Sequence, residues 1–441
     1  MMVKMPRPTV FSLLYLPSKE RRLQSPMGSC RLATLLLLLL SGLFAGRSAT
    51  ASTPVGPFGD EPHNYWTEPQ DDPFTKFTQR VEKGEIKLDS AGSEKDIMAS
   101  LLGQLNIPVS SQLWVFSGTS LQSGRISLRN PRAIYFNEDV YIGYVPGGQV
   151  EVASQDSERG SIFYIFDMPR AGAPVRFQRA AKCMNCHAGD AQLRVPGLAV
   201  ESVIPGPNSG SLDAFRRGES GHAIPLDMRW GGWHVTGAPA SLKHHGNLTG
   251  DSNAGKVTTT EVLPGKLFDI GDYPVATSDV LPHLIFEHQV GFTNRVTEAR
   301  YLTRAALAAG KGRISSEDAK MLDAKATDLT RYILFADEAP FPKEGITGDA
   351  AFKTEFLRNR KAAPDGTSLK DFDLRTRIFK HRCSYMIYSR AFTTLPKEFK
   401  DRVYARLSAA LSETSPSRDF NYLPVTEKRA IRGIVAATLG K

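Results

Sequence analysis

The chain has 441 residues, 41% of them hydrophobic, and a formal net charge of +9, enough for two domains or one large α+β domain with an ordinary core. Seven Lys/Arg but only one Glu fall in the first 51 residues, leaving 48 basic against 45 acidic side chains. That balance excludes the electrostatic footprint of a nucleic-acid binder, and the sequence carries no internal repeat, dinucleotide loop or P-loop.

Leu32 to Ala45 form a short apolar stretch after Lys19, Arg21, Arg22 and Arg31, followed by Ala49-Thr50-Ala51. This is the layout of a secretory signal peptide covering residues 1–51, and it predicts a periplasmic or otherwise exported protein. Met27 would make a more ordinary start, with residues 1–26 as an upstream extension. Cys30 precedes the apolar stretch, where a lipoprotein cysteine would follow it. A membrane tether is expected only if the leader stays uncleaved.

Residues 52–75, rich in Pro, Gly, Asp and Glu, read as an extended lead-in anchored by Trp66 and Phe74. Ser93 and Asp96 resemble a capping box for a helix over Lys95–Leu105, whose apolar face is Ile97, Leu101, Leu102 and Leu105. From Gln112 to Asp167 the pattern becomes short β-branched and aromatic runs, joined by Asn137-Glu138-Asp139 and Pro146-Gly147-Gly148. An antiparallel sheet is predicted, within a β-rich region spanning residues 52–175.

Next comes Cys183-Met184-Asn185-Cys186-His187, in a segment of residues 176–275. Two thiols three positions apart can add across the vinyl groups of one haem, and the following imidazole can ligate its iron. A thioredoxin-like dithiol has no use for the trailing His. A structural zinc site needs four ligands, and a disulfide across two residues would be strained. The spacing therefore predicts one covalent haem c on Cys183 and Cys186 with His187 as proximal ligand. With Cys383 the mature chain has three cysteines, too few for a disulfide framework, and Cys383 reads as a buried small hydrophobe.

Leu198–Ile204 and Trp233–Thr236 read as further strands among loop-forming stretches. Residues 276–441 read as helical, with a periodic face through Leu281, Leu284, Ile285, His288, Phe292 and Val296. A second such face runs through Phe399, Val403, Leu407 and Leu411, and a third through Ile431, Ile434, Val435 and Leu439. Residues 343–368 read as a long loop. The overall expectation is an α+β chain: antiparallel sheet in the N-terminal half, covalent haem c segment in the middle, helical region at the C-terminus.

The sixth iron ligand is the open question, because Met, His or an open position gives a carrier of high potential, one of low potential, or a reactive site. His288, rigidly aimed from a helix, is the leading candidate; His244 and His222 follow, and Met228 is weaker. Arg176, Arg179, Lys182 and Arg229 could pair with haem propionates, and Trp230 and Trp233 could wall the haem or fill the core.

On Trp114–Leu121 (WVFSGTSL), Pro131–Val145 (PRAIYFNEDVYIGYV), Cys183–His187, Arg229–Gly237 (RWGGWHVTG), Glu287-His288-Gln289 and Cys383–Ser389 (CSYMIYS), the chain resembles uncharacterised exported monohaem cytochrome c domain proteins of environmental bacteria, from about Trp66 to the C-terminus. The resemblance implies haem binding and electron transfer and supplies no substrate. It implies histidines at the places of His222, His244 and His288, and no methionine at that of Met228. A weaker similarity is to sensor domains in which such a motif follows a PAS-like sheet. The expected function is single-electron transfer between periplasmic partners, ahead of catalysis. The alternatives are a peroxidase-like oxidoreductase with an open iron site and a PAS-like haem c sensor or binding module.

Overall fold

The computed structural model describes residues 58–216, 221–414 and 418–440; the expected leader lies outside them. Ala51–Lys441 forms one compact unit, so the sheet region, the cysteine segment and the helical region share one body. No described helix is long and apolar enough to cross a membrane.

The lead-in is not extended throughout. Helix α1 (Pro73–Glu82) begins where the Asp72 carboxylate accepts the N–H groups of Phe74 and Thr75, with Pro73 at the first helical position, where its missing N–H costs nothing. Asp72 also accepts the Tyr164 hydroxyl at 2.6 Å, tying the helix to the sheet. Phe74 is fully buried, whereas Trp66 is 39% exposed and anchors less than expected. Replacing Asp72 with Ala removes the cap and one of the two partners of the buried Tyr164 hydroxyl, which keeps Thr75 Oγ1 at 2.6 Å. The expected loss is about 2–3 kcal/mol of unfolding free energy in urea titrations. Helix α2 (Glu94–Gln104) starts from the expected capping box, with the Ser93 N–H donating to the Asp96 carboxylate at 3.2 Å.

The described residues build a seven-stranded antiparallel sheet. Its strands are β1 (Leu113–Val115), β2 (Arg132–Phe136), β3 (Val140–Tyr144), β4 (Gln149–Asp156), β5 (Gly160–Asp167) and β6 (Gln178–Arg179). The hairpin chemistry fell where expected. Asn137 Oδ1 accepts the N–H groups of Asp139 and Val140 before β3, and Gly147 takes a φ of 70° in the turn before β4. Helix α3 (Met184–His187) carries the cysteine motif. Hairpin strands β7 (Ser202–Pro205) and β8 (Ser211–Arg216) follow, then β9 (Trp233–His234), which pairs with β1 and completes the order β6-β5-β4-β3-β2-β1-β9. Leu198–Val200, expected as strand, is irregular. The hairpin β10 (Leu248–Asn253) and β11 (Lys256–Glu261) was not anticipated.

Alternation along the strands gives the sheet two different faces. One face, with Trp114, Tyr135, Ile142, Tyr144 and Phe166, packs against Phe74, Phe77, Met98 and Leu102 of α1 and α2. The other places Leu113, Val115, Phe136 and Tyr141 in the core of the C-terminal helices. Those are α4 (Val280–Ala309), α5 (Ser316–Ile333), α6 (Ala350–Phe356), α7 (Arg390–Thr393), α8 (Lys397–Leu411) and α9 (Val425–Leu439). The long α4 is buried almost all round, as a central helix must be, and α5 packs against both α4 and α8. The expected faces on α8 and α9 are buried at Phe399, Val403, Leu407, Leu411, Ile431 and Ile434. The stretch 343–368 holds α6, buried through Phe352 and Phe356, so it is not all loop.

Candidate functional site

Strand pairing brings one set of side chains to a single place. The registers Ile134↔Gly143↔Glu151 and Tyr141↔Ala153↔Phe163 put these residues, with Arg132, on the helix-facing side of the sheet. There they form one wall of a cavity of about 540 Å³, whose lining also includes Cys183, Cys186, His187, Lys182, Leu198, Trp233 and Phe286. This lies within the range of about 300–1,000 Å³ for pockets that hold drug-sized ligands and cofactors. Arg132 Nη1 meets Glu151 Oε2 at 2.9 Å across β3. A Cβ at Gly143 would lie only 3.3 Å from atoms of both side chains, so the glycine leaves room for that bridge.

On the opposite wall, α3 is a single helical turn. Residues three apart share a helix side, so Cys183 and Cys186 lie over the same turn, the first partly buried and the second exposed. His187 packs against Phe163, with ring centroids 4.4 Å apart. Its Nδ1 lies 3.0 Å from the Gly197 carbonyl, and the Gly197 N–H donates to the His187 carbonyl at 2.9 Å. A carbonyl can only accept, so Nδ1 carries the proton and Nε2 keeps its lone pair. Gly197 is held in turn by α4: Asn294 accepts from the Leu198 N–H at 2.9 Å and donates to the Leu198 carbonyl at 2.8 Å. A side chain at position 197 would run into Asn294, since a Cβ there would lie 2.6 Å from its Oδ1.

The electrostatics separate the chemistries open to this motif. Burial pushes the His187 imidazole down to about 4, so it is neutral at ordinary pH, as a metal ligand must be. Burial, with Glu151 nearby, pushes the Cys183 thiol up to about 12. A redox dithiol or a thiolate metal ligand needs the opposite shift. Among the described residues, no group of three or more His, Cys, Asp or Glu side chains is arranged to hold a metal ion directly. The three residues do suit a covalently attached haem: two thiols on one turn, then an imidazole whose second nitrogen is oriented by a backbone carbonyl, the arrangement usual behind metal-bound histidines.

The structure does not bring the expected sixth ligands to this cavity. His288 is fully buried among the C-terminal helices, with Nδ1 2.9 Å from His222 Nδ1 and Nε2 2.8 Å from Ser384 Oγ. Its apolar helix face reflects core packing against Phe335, with ring centroids 4.5 Å apart. His222 stacks on the same Phe335. His244 accepts the Gly246 N–H and lies beside Trp230, while Met228 is exposed on a short turn. Of the basic residues considered, Lys182 lines the cavity. Arg179 instead donates to the Tyr65 carbonyl, Arg229 is buried in an ion pair with Glu287, and Arg176 is exposed. Trp233 walls the cavity, with its indole N–H on the Glu201 carbonyl; Trp230 fills the core. Arg132, Tyr141, Glu151, Phe163 and Gly197 were not singled out from the sequence, where they read only as strand and loop residues.

The buried histidines have a consequence for stability. Burial lowers His283 and His288 to about 3 and His234 to about 4, whereas an unfolded chain titrates its histidines near 6.5. Between these values the unfolded state binds more protons, so stability is full above about pH 6.5 and falls as the pH drops. Each histidine contributes up to about 1.4 kcal/mol per pH unit. The urea midpoint is expected to fall steadily from pH 7 to pH 5; an unchanged midpoint over that range would contradict the burial of these rings.

No family model, curated protein sequence or solved structure matches this chain.

Proposed function

We propose that the chain is an exported c-type haem protein with one covalent haem, attached through Cys183 and Cys186 and ligated by His187, and that it transfers single electrons between periplasmic partners. The observation that carries this reading is the cavity itself: it is bounded by both thiols and by an imidazole whose Nδ1 proton is committed to Gly197, which leaves Nε2 for a metal. A haem bound there supplies a one-electron iron couple. The chain's own residues do the rest. Phe163 and Gly197 fix the ring, Ile134, Tyr141, Trp233 and Phe286 exclude water, and the exposed Cys186 leaves that edge near solvent.

A second reading, an open iron site, has its own support. His187 is the only histidine among the described residues lining the cavity, and no methionine joins it there. Optical and EPR spectra of the holo-protein divide the two readings. A carrier with two protein ligands stays low-spin in both oxidation states and ignores CO. An open site gives a high-spin ferric signal and a ferrous form that takes up CO. Either reading is lost if the protein, expressed with haem-attachment machinery, gives no pyridine haemochrome.

A further inference from the structure

The loop after β1 serves two cavities. Ser117–Leu121 lines the one with the cysteine motif, and Leu121, Gln122, Gly124 and Arg125 line a second cavity of about 480 Å³, closed by Gly147 and Gly148 and by Asp167, Met168 and Arg170. Leu121 belongs to both and is 50% exposed where they adjoin. Gln122 fixes the partition. Its Oε1 accepts the Gln149 N–H at 2.7 Å, and its Nε2 donates to the Gln149 carbonyl and to Glu151 in the first cavity. A Cβ at Gly148 would lie 2.7 Å from Gln122 Oε1, so this closure depends on a glycine there.

The charges in the second cavity do not cancel. Asp167 is already engaged, its Oδ1 accepting from the Gln149 side-chain amide at 2.9 Å. The guanidinium groups of Arg125 and Arg170 have no hydrogen bond or ion pair among the described residues. The arginine that lines the first cavity is committed by contrast: Arg132 pairs with Glu151. Arg125 and Arg170 are both exposed at the rim of one cleft, and two guanidinium groups so placed are suited to bidentate recognition of a carboxylate.

We infer that Arg125 and Arg170 form a carboxylate-binding subsite adjoining the cavity of the cysteine motif across Leu121. The carboxylate can come from two sources: the propionates of a haem in the first cavity, or a small soluble organic acid held beside it. The first source rests on the haem reading proposed above; the second does not.

The test uses the full-length holo-protein and the Arg125→Gln/Arg170→Gln double variant, both substitutions lying on the surface. Citrate is the probe, titrated by calorimetry at constant ionic strength, and the midpoint potential is followed optically. Citrate binding that weakens at least about tenfold in the variant assigns the subsite to a soluble acid. A potential that falls in the variant, without citrate binding to the wild type, assigns it to propionates, because removing positive charge favours the ferric form. An unchanged potential together with no citrate binding to the wild type overturns the inference. A preparation without covalent haem would defeat the haem reading alone, since the citrate titration still decides the subsite.

Discussion

The Cys183→Ser/Cys186→Ser variant is expected to lose all covalently held pigment, measured as haem stain surviving denaturing electrophoresis, whereas either single variant keeps one thioether and retains part of it. Either thiol can hold the group because Cys183, at the N-cap of α3, and Cys186, within it, both line the cavity. Burial and the nearby Glu151 keep Cys183 protonated at ordinary pH, the reverse of what activates a redox thiol. The variant is also expected to melt at a lower temperature than the holo-protein, because the apolar contacts a covalently held haem would make with the cavity walls form only in the folded state and disappear with it. Equal pigment retention in the double variant and the wild type would remove the thiols from the attachment chemistry.

The second large effect is expected at Glu287. Its carboxylate meets Arg229 at 3.2 Å, and both side chains are 1% exposed. Arg229 also donates to the carbonyls of His222 and Ile224, so this one guanidinium ties the loop before β9 to α4. Glu287→Ala removes the carboxylate that meets the buried Arg229 guanidinium at 3.2 Å, and the expected cost is about 3–5 kcal/mol in urea unfolding. Replacing both partners with apolar residues of similar volume, as in Arg229→Met/Glu287→Leu, is expected to recover part of that loss, because neither charge of this pair then remains buried. A single-variant loss below about 1 kcal/mol would show that water reaches the pair. That loop runs directly into Trp233 at the start of β9, which walls the cavity. The single variant should therefore also change the Soret circular dichroism of the holo-protein if a haem lies against that tryptophan.

What the sequence made legible and what it hid follow from the range of the interactions. The hairpins of the main sheet could be read because Asn137 and Gly147 act on their own neighbours. The cysteine motif could be read because its geometry is that of one helical turn. Helix α1 has a local signal in Asp72 followed by Pro73, a strong helix start that the surrounding Pro, Gly and acidic residues obscure. Helix α5 likewise announced itself through Ser315 and Asp318 and the spacing of Leu322, Ala326, Leu329 and Ile333. The cavity could not be read in the same way. Arg132, Gly143 and Glu151 come from three strands and meet only through their register. His288 shows the limit most clearly. Its helical spacing correctly marked a buried face, but the partner that occupies its Nε2 is Ser384, 96 residues away. Periodicity says that a face is covered and not by what.

The most direct test of the account is the mass of one peptide. Trypsin cuts after Lys182 and Arg194, releasing Cys183–Arg194 with both thiols and His187. From protein exported by a host that attaches haem c, this peptide is expected to carry the mass of one haem, to absorb in the Soret region and to resist thiol alkylation at both cysteines. The same peptide recovered colourless, at its unmodified mass and alkylated on Cys183 and Cys186, would contradict the account.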